Sequence, residues 1–206
     1  MTEHLDGLIF DYAAGAMGAA ASRLMEAHFE MRPRSGGLAR ALDVVGGDAL
    51  MAAAPAAVRA SAGAVLAHTP VDAMARQGGG SNGLPIAISD LFPNDADIEW
   101  SGVWPGVAHA RSDVLDGARL LRAKAGSRLP KHAHDGQELT LVLTGGFRDR
   151  GAHYRAGDIS VAGPEEAHEL LIDDGEECLC FTAVDGDLKL SGPLGAVLSL
   201  VGLGKI

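Results

Sequence analysis

The spacing of hydrophobic residues changes after roughly the first third of this chain. Before that point, apolar side chains recur three and four positions apart, as in Leu24, Ala27 and Met31, within segments rich in Ala, Leu, Met and Glu. This period places them on one face of an α-helix. FDYAAGAMGAAASRLMEAHFEM, residues 10–31, therefore predicts two helices with a break near residues 15–18.

Two more helical segments are predicted downstream. Pro33 and the run Ser35-Gly36-Gly37 predict the end of the second helix, because proline and glycine disfavour a helix interior. LARALDVVGGDALMAAA, residues 38–54, predicts a further helix that stops before a proline. VDAMARQ, residues 71–77, predicts one or two additional turns.

A glycine-rich segment separates these helices from the rest of the chain. QGGGSNGLP, residues 77–85, has the composition of a flexible linker. We therefore predict a helical domain in residues 1–76 and a second domain in residues 86–206.

The second domain has the pattern of short strands separated by turns. The segments RLLRAKAG, ELTLVLTGGF, GDISVAG and ECLCFTAV are β-prone and spaced as in an all-β sandwich or barrel. In ELTLVLTGG the leucines alternate with Glu138, Thr140 and Val142, and neither face is clearly polar. We expect this strand to be covered on both sides. The predicted fold is a small N-terminal helical domain followed by an all-β barrel.

Composition and charge narrow the class of protein. Hydrophobic residues make up 47% and charged residues 21%, as in a globular chain. The formal net charge of −10 argues against direct nucleic-acid binding, which needs a basic surface. No secretory signal is visible, and the late stretch GPLGAVLSLVGLG is far shorter than the roughly 20 residues that span a bilayer. We expect a cytoplasmic protein without membrane contact, whose Cys178 and Cys180 are thiols.

Candidate metal ligands lie in KHAHDGQELTLVLTGG, residues 131–146. His132 and His134 alternate along a strand and therefore point to one face, Glu138 follows with the same parity, and His168 comes later, after another predicted strand. Three imidazoles and a carboxylate suit a divalent first-row transition ion. Zinc, iron, manganese, nickel and copper all meet this description, and the ligand types do not choose among them. For the cofactor we favour zinc, with iron, manganese or nickel as alternatives.

The spacing of these ligands carries a resemblance to a known fold family. The segment can be written G-x5-H-x-H-x3-E-x6-G, and in this form it resembles the first cupin motif at every position. The second cupin motif is matched only in part, by Gly157 and His168. The resemblance implies a double-stranded β-helix barrel with the four ligands inside it. The other histidines of this domain, His109 and His153, are expected in or near loops, exposed to solvent, as is His68 before it.

The helical part resembles a second, narrower family. DYAAG followed by a helix that ends in HFEMRPRS, together with ELTLVLTGGFRD and the strand CLC, resembles zinc-dependent anti-sigma factors of the ChrR type. That family carries H-x3-C-x2-C in its helical domain. Here His28 stands at the histidine position, but Arg32 and Ser35 replace the cysteines. A guanidinium cannot ligate zinc, so we expect no structural zinc in the helical domain.

The resemblance implies an anti-sigma factor. Its helices would sequester an alternative, ECF-type sigma factor, and the metal-binding cupin would sense oxidative stress and trigger release. A cupin metalloenzyme, such as a non-haem dioxygenase, is the alternative, because three histidines and one glutamate leave room for substrate and O₂. A cupin that binds a small ligand without turnover is a further alternative. The barrel is also a candidate surface for a homodimer.

Overall fold

The computed structural model describes residues 2–53, 83–92, 98–164, 166–184 and 188–190, of which residues 2–3 and 188–190 are described for the backbone only. The helices are α1 Thr2–Ala13, α2 Ala19–Met31, α3 Pro33–Ala52 and α4 Ile86–Ser89. The strands are β1 Ser101–Trp104, β2 Val107–Arg111, β3 Ala118–Ala123, β4 Arg128–His134, β5 Glu138–Thr144, β6 Gly146–Asp149, β7 Ala152–Arg155, β8 Ile159–Ala162, β9 His168–Ile172, β10 Cys178–Val184 and β11 Leu188–Leu190.

The strands form two antiparallel sheets. One sheet has the order β1-β2-β3-β10-β5-β8, and the other has the order β11-β4-β9-β6-β7. Each of the four β-prone segments of the sequence contains a strand, which confirms the predicted β-rich second part. Strand β5 belongs to the first sheet and β4, only a short turn away, belongs to the second. The chain therefore crosses from one sheet to the other between His134 and Glu138.

The helices pack on the outer face of the six-stranded sheet. Leu24 and Met25 of α2 are fully buried in one apolar cluster with Leu139 and Leu141 of β5 and Phe181 of β10. The opposite face of β5 lies inside the barrel, where Val142 packs with the interior cluster of both sheets. Strand β5 is thus covered on both sides, as its unbroken apolar sequence predicts.

Helix α2 ends at Met31, as Pro33 predicts, but the third helix begins at Pro33 and not at residue 38 as expected. Ser35-Gly36-Gly37 does not interrupt the helical region, because α3 begins at Pro33 and runs through it. Proline is well tolerated in a first turn, where its missing N–H has no helical partner to lose. A Cβ at Gly36 would lie 3.2 Å from Cβ of Phe29 on α2. Glycine here allows the two helices to approach each other.

The segment that precedes the barrel also packs on α2. Residues 83–92 contribute Leu84, Ile88 and Phe92 to the cluster shared with the helices. The carboxylate of Glu30 on α2 accepts hydrogen bonds from the backbone N–H groups of Ile86 and Ala87, both at 2.8 Å. The predicted turns of residues 71–77 and most of the predicted linker 77–85 lie outside the described residues, so the domain boundary stays a prediction. None of the described helices is long and apolar enough to cross a membrane.

Candidate metal centre

The structure brings the four sequence-predicted ligands together inside the barrel. His132 and His134 end strand β4, His168 begins β9, and Glu138 begins β5. One ligand atom from each of these residues lies within 4.8 Å of all the others. His132 and His168 are register partners on neighbouring strands, whereas Glu138 reaches the group from the other sheet. The site therefore connects the two sheets.

The distances define a compact and buried group. His134 Nε2 lies 3.0 Å from Glu138 Oε2, and His168 Nε2 lies 3.4 Å from the same oxygen. His168 Nε2 is also 3.4 Å from His134 Nε2. All four residues are buried, with Glu138 the most exposed at 8%.

Two of the three imidazoles are oriented through their other nitrogen. His132 Nδ1 lies 2.9 Å from the carbonyl oxygen of Pro130, and His168 Nδ1 lies 3.1 Å from Asp149 Oδ2. These acceptors require a proton on Nδ1 of each ring, so that in the neutral form Nε2 carries the free lone pair. For His168 that lone pair is directed at the group, as in histidine-metal sites supported by a carboxylate.

The protonation tendencies of the site follow from its burial and its partners. Burial, followed by the neighbouring charge of His168, lowers the pKa of His132 to about 4. Burial would also lower the pKa of His168, but hydrogen bonds with Asp149 and Glu138 outweigh it and raise the value to about 9. Burial would raise the pKa of Glu138, yet its hydrogen bonds with His134 and His168 hold it well below the usual range. Without a metal, a proton on His168 balances the buried carboxylates.

These residues fit a divalent cation. Nε2 of His134 and His168 and a carboxylate oxygen converge with no apolar side chain between them, and lone pairs this close repel one another unless a proton or a cation lies among them. Nitrogen and oxygen ligands of this kind suit first-row transition ions. No other group of at least three histidine, cysteine or acidic side chains lies close enough to hold a metal within the part of the chain that the structure describes.

Leucine and valine make up half of the residues that line the cavity beside the centre. His109 also lines it, contrary to the prediction for this histidine. This histidine lies on strand β2, half-buried, and lines the cavity together with Arg119. Burial and then the charges of Arg111 and Arg119 lower its pKa. The expectation of a solvent-exposed loop was wrong because an isolated histidine carries no periodic signal of its own.

The prediction for His153 was also wrong, and His68 lies outside the described residues. His153 is on strand β7, and its Nε2 lies 2.6 Å from Asp173 Oδ2. The two cysteines share one face of β10, as their spacing predicts. They are buried, and their sulfur atoms are 3.6 Å apart without a disulfide.

Asp149 is the functional candidate that sequence reasoning missed. It is 2% exposed, ends strand β6 and holds His168 from the side opposite Glu138. Arg150, which has a left-handed backbone conformation with φ of 49°, donates from Nε to Asp149 Oδ2 at 3.1 Å. The only local signal is an acidic residue at the end of an apolar strand, which is too common to identify a site.

The helical domain places its metal-like motif against the barrel. His28 is 3% exposed and its Nδ1 lies 2.8 Å from the carbonyl oxygen of Gly157. Arg32 and Ser35 stand at the two cysteine positions of the family motif, and among the described residues His28 belongs to no cluster of histidine, cysteine or acidic side chains that could hold a metal. The absence of a structural zinc from this domain stays a prediction.

Comparison with known proteins agrees with both resemblances. Residues 90–186 match the family described as the ChrR cupin-like domain. The anti-sigma-E factor ChrR of Cereibacter sphaeroides is 32% identical over 194 residues, which are 90% of this chain and 90% of that protein. The crystal structure of Rhodobacter sphaeroides SigE in complex with the anti-sigma ChrR matches with a TM-score of 0.68 and 33% identity, covering 87% of this chain and 96% of that chain. The chain belongs to the ChrR family of anti-sigma factors.

Proposed function

We propose that this chain is an anti-sigma factor whose helical part, residues 1–76, binds an alternative sigma factor of the ECF type and keeps it from RNA polymerase. The observation that carries the proposal is the similarity over both halves of the chain. A ChrR protein solved in complex with a sigma factor matches 87% of this chain with a TM-score of 0.68. The helices and the barrel are therefore retained in the same combination. A cytoplasmic location accompanies this function.

The surface of α3 supports a protein partner. Its second half exposes Val44, Val45, Leu50 and Met51, with exposed fractions of 65%, 66%, 75% and 87%. Within α3 only Gly36 and Ala39 are buried. Apolar side chains concentrated on one exposed helix are typical of an interaction surface.

We further propose that His132, His134, Glu138 and His168 hold one divalent transition metal, with zinc favoured and iron, manganese or nickel as alternatives. Such an ion would supply a Lewis-acidic centre that is open to a small exogenous ligand. Because Glu138 comes from one sheet and the histidines from the other, the four side chains tie the two sheets together. Loss or chemical change of these ligands would loosen that connection, which suits a sensor of oxidative stress.

The state of the two cysteines favours the metal ligands, and not a thiol, as the groups that an oxidant would attack. The only cysteines of the chain, Cys178 and Cys180, lie inside the barrel. The hydrogen bond with Cys178 and then burial raise the pKa of Cys180 well above its usual value. A protonated, buried thiol reacts slowly with oxidants, because the thiolate is the reactive form.

Co-expression tests the proposed function. If a sigma factor is encoded beside it, the chain co-expressed with that sigma factor should purify as a complex of equal stoichiometry and block transcription from promoters of that sigma factor. If the two proteins separate at roughly micromolar concentration, the anti-sigma proposal fails. Consumption of O₂ by the metal-loaded protein with a diketone or an aromatic diol would instead support the enzyme. Measuring the oligomeric state of the purified chain tests whether the barrel forms a homodimer.

A further inference from the structure

The end of helix α2 contacts the barrel at the turn of residues 156–158, between β7 and β8. His28 donates from Nδ1 to the carbonyl oxygen of Gly157 at 2.8 Å in a buried position. Arg32 donates from Nη2 to the carbonyl oxygen of Ala156 at 2.7 Å and lies 3.2 Å from Asp158 Oδ1. Three consecutive residues of the turn are thus contacted by two side chains one helical turn apart.

The turn is fixed in the shape that receives these side chains. Gly157 has φ of +87°, and a Cβ on it would lie 2.5 Å from Nε of Arg32. Asp158 accepts a hydrogen bond from the backbone N–H of Arg155 at 2.9 Å, which closes the turn. The N–H of Gly157 donates to the carbonyl oxygen of Val142 on β5 at 2.8 Å. The turn is therefore attached to the strand that begins with Glu138.

An apolar contact adjoins these polar contacts. Leu24, Met25 and Ala27 of α2 are fully buried in the cluster formed with the outer faces of β5 and β10. Non-directional apolar burial supplies attraction, whereas hydrogen bonds to fixed carbonyl groups select one orientation of the helix.

Apart from the contacts of α2 with the barrel and with residues 83–92, the described helices bury few side chains. Helix α1 buries Leu8 and Ile9, and α3 buries only Gly36 and Ala39. A helical unit of this size is marginal without a metal, a disulfide or a partner surface. The described residues of the helical part contain no metal-like group, and both cysteines of the chain are in the barrel.

We propose that the turn of residues 156–158 is an internal docking site that holds the helical domain folded, with His28 and Arg32 as the residues that lock α2 onto it. In this chain, contact with the barrel stabilises the helical domain, as a bound structural metal does in other small helical domains. The contacts of this docking site lie within the chain and need no sigma factor. It makes the fold of the helical domain depend on the integrity of the barrel.

Hydrogen exchange on the full-length chain tests this with two matched glycine variants. Gly157 and Gly151 both have positive φ, +87° and +80°, but a Cβ at residue 151 has nothing within 4 Å. Both substitutions strain one turn of the barrel, and only Gly157→Ala disturbs Arg32. We expect the amides of α2 to exchange about tenfold to a hundredfold faster in Gly157→Ala, and at the wild-type rate in Gly151→Ala. Exchange in β9 should be equal in the two variants.

A second pair of variants approaches the contact from the helix. Arg32→Ala should also accelerate exchange in α2 without changing β9, whereas Arg34→Ala, at an exposed position two residues later, should not. Unchanged exchange of α2 in both Gly157→Ala and Arg32→Ala would overturn the proposal. Equal acceleration throughout α2 and β9 would overturn it as well, because the loss would then be one of global stability.

Discussion

Asp149 and His168 form a buried pair beside the candidate metal centre. His168 Nδ1 donates to Asp149 Oδ2 at 3.1 Å, and the two residues are 2% and 4% exposed. Arg150 donates to the same oxygen and also contacts Glu166, which places the carboxylate at the end of a chain of ion pairs. A carboxylate in this position fixes the rotation of an imidazole ligand and increases its basicity.

Asp149→Asn should weaken binding of Zn²⁺ about tenfold to a hundredfold while the four ligands remain in place. The amide retains the shape of the side chain but removes the charge that orients His168. Titration against a chelator of known affinity measures the effect. Asp173→Asn is the matched control, because Asp173 contacts His153 at 2.6 Å away from the centre. Equal affinity of the two variants would refute a positioning role for Asp149.

Metal binding at pH 7 should release about one proton per chain. In the metal-free protein the pKa of His168 is about 9, so its imidazole is protonated at pH 7. The pKa of His132 is about 4 and that of Glu138 is lower than usual, so neither has a proton to release. The apparent affinity should therefore fall about tenfold for each pH unit below 9. Calorimetric titration in two buffers with different ionisation enthalpies gives the number of protons, and a value near zero would contradict this assignment.

The predictable part of the site depends on short-range spacing. His132 and His134 are two positions apart on one strand, and ligands so close in sequence share a face whatever the rest of the fold does. Glu138 and His168 could be added because a known motif supplies the longer spacing. Strand β5 was predictable for a similar reason, since its apolar residues are contiguous.

The missed contacts are those between distant segments. Asp149 and His168 are separated by 19 positions, and His28 and Gly157 by 129. Periodicity describes the faces of one helix or strand, but it does not say which distant turn a face will meet. The continuation of α3 through Gly36 was missed likewise, because the close contact with Phe29 that favours glycine there is a tertiary feature.

Gly145→Ala should destabilise the protein more than Gly151→Ala does. Both residues have positive φ, which costs a non-glycine residue about 1–2 kcal/mol. A Cβ at Gly145 would also lie 2.8 Å from the carbonyl oxygen of Glu177, whereas one at Gly151 meets nothing within 4 Å. We expect a total loss of roughly 3 kcal/mol or more for Gly145→Ala, measured by urea unfolding. Equal losses of stability in the two variants would mean that Glu177 and strand β10 shift away from the added Cβ without a cost in free energy.

The free energy of unfolding should decrease as the pH falls below about 6.5, in part because of His28. Burial is the main cause that lowers its pKa, and the charge of Arg32 adds to it, while Gly157 and Asp158 act in the opposite direction. The unfolded chain therefore binds a proton more readily than the folded chain. Above pH 6.5 this contribution is fully present, and it is lost as the pH falls.

His28→Asn provides the measurement for that pH effect. Asparagine keeps a donor for the carbonyl oxygen of Gly157 but does not titrate. Denaturant unfolding measures the free energy of unfolding of the wild type minus that of the variant. This difference should be smaller at pH 5.5 than at pH 7.5. A constant difference between wild type and His28→Asn would exclude His28 as a source of the effect.

The exposed apolar side chains of α3 should be required for sigma binding but not for folding. Val45 and Met51 are 66% and 87% exposed, so replacing either with aspartate should change stability by no more than about 0.5 kcal/mol. A charge introduced into an apolar interface should weaken the complex about tenfold or more. Val114→Asp is the control, because this valine is 68% exposed but lies in the β domain. Affinities measured by calorimetry with the purified sigma factor should separate Val45→Asp and Met51→Asp from Val114→Asp. If all three variants bind like the wild type, sigma docks elsewhere on the helices.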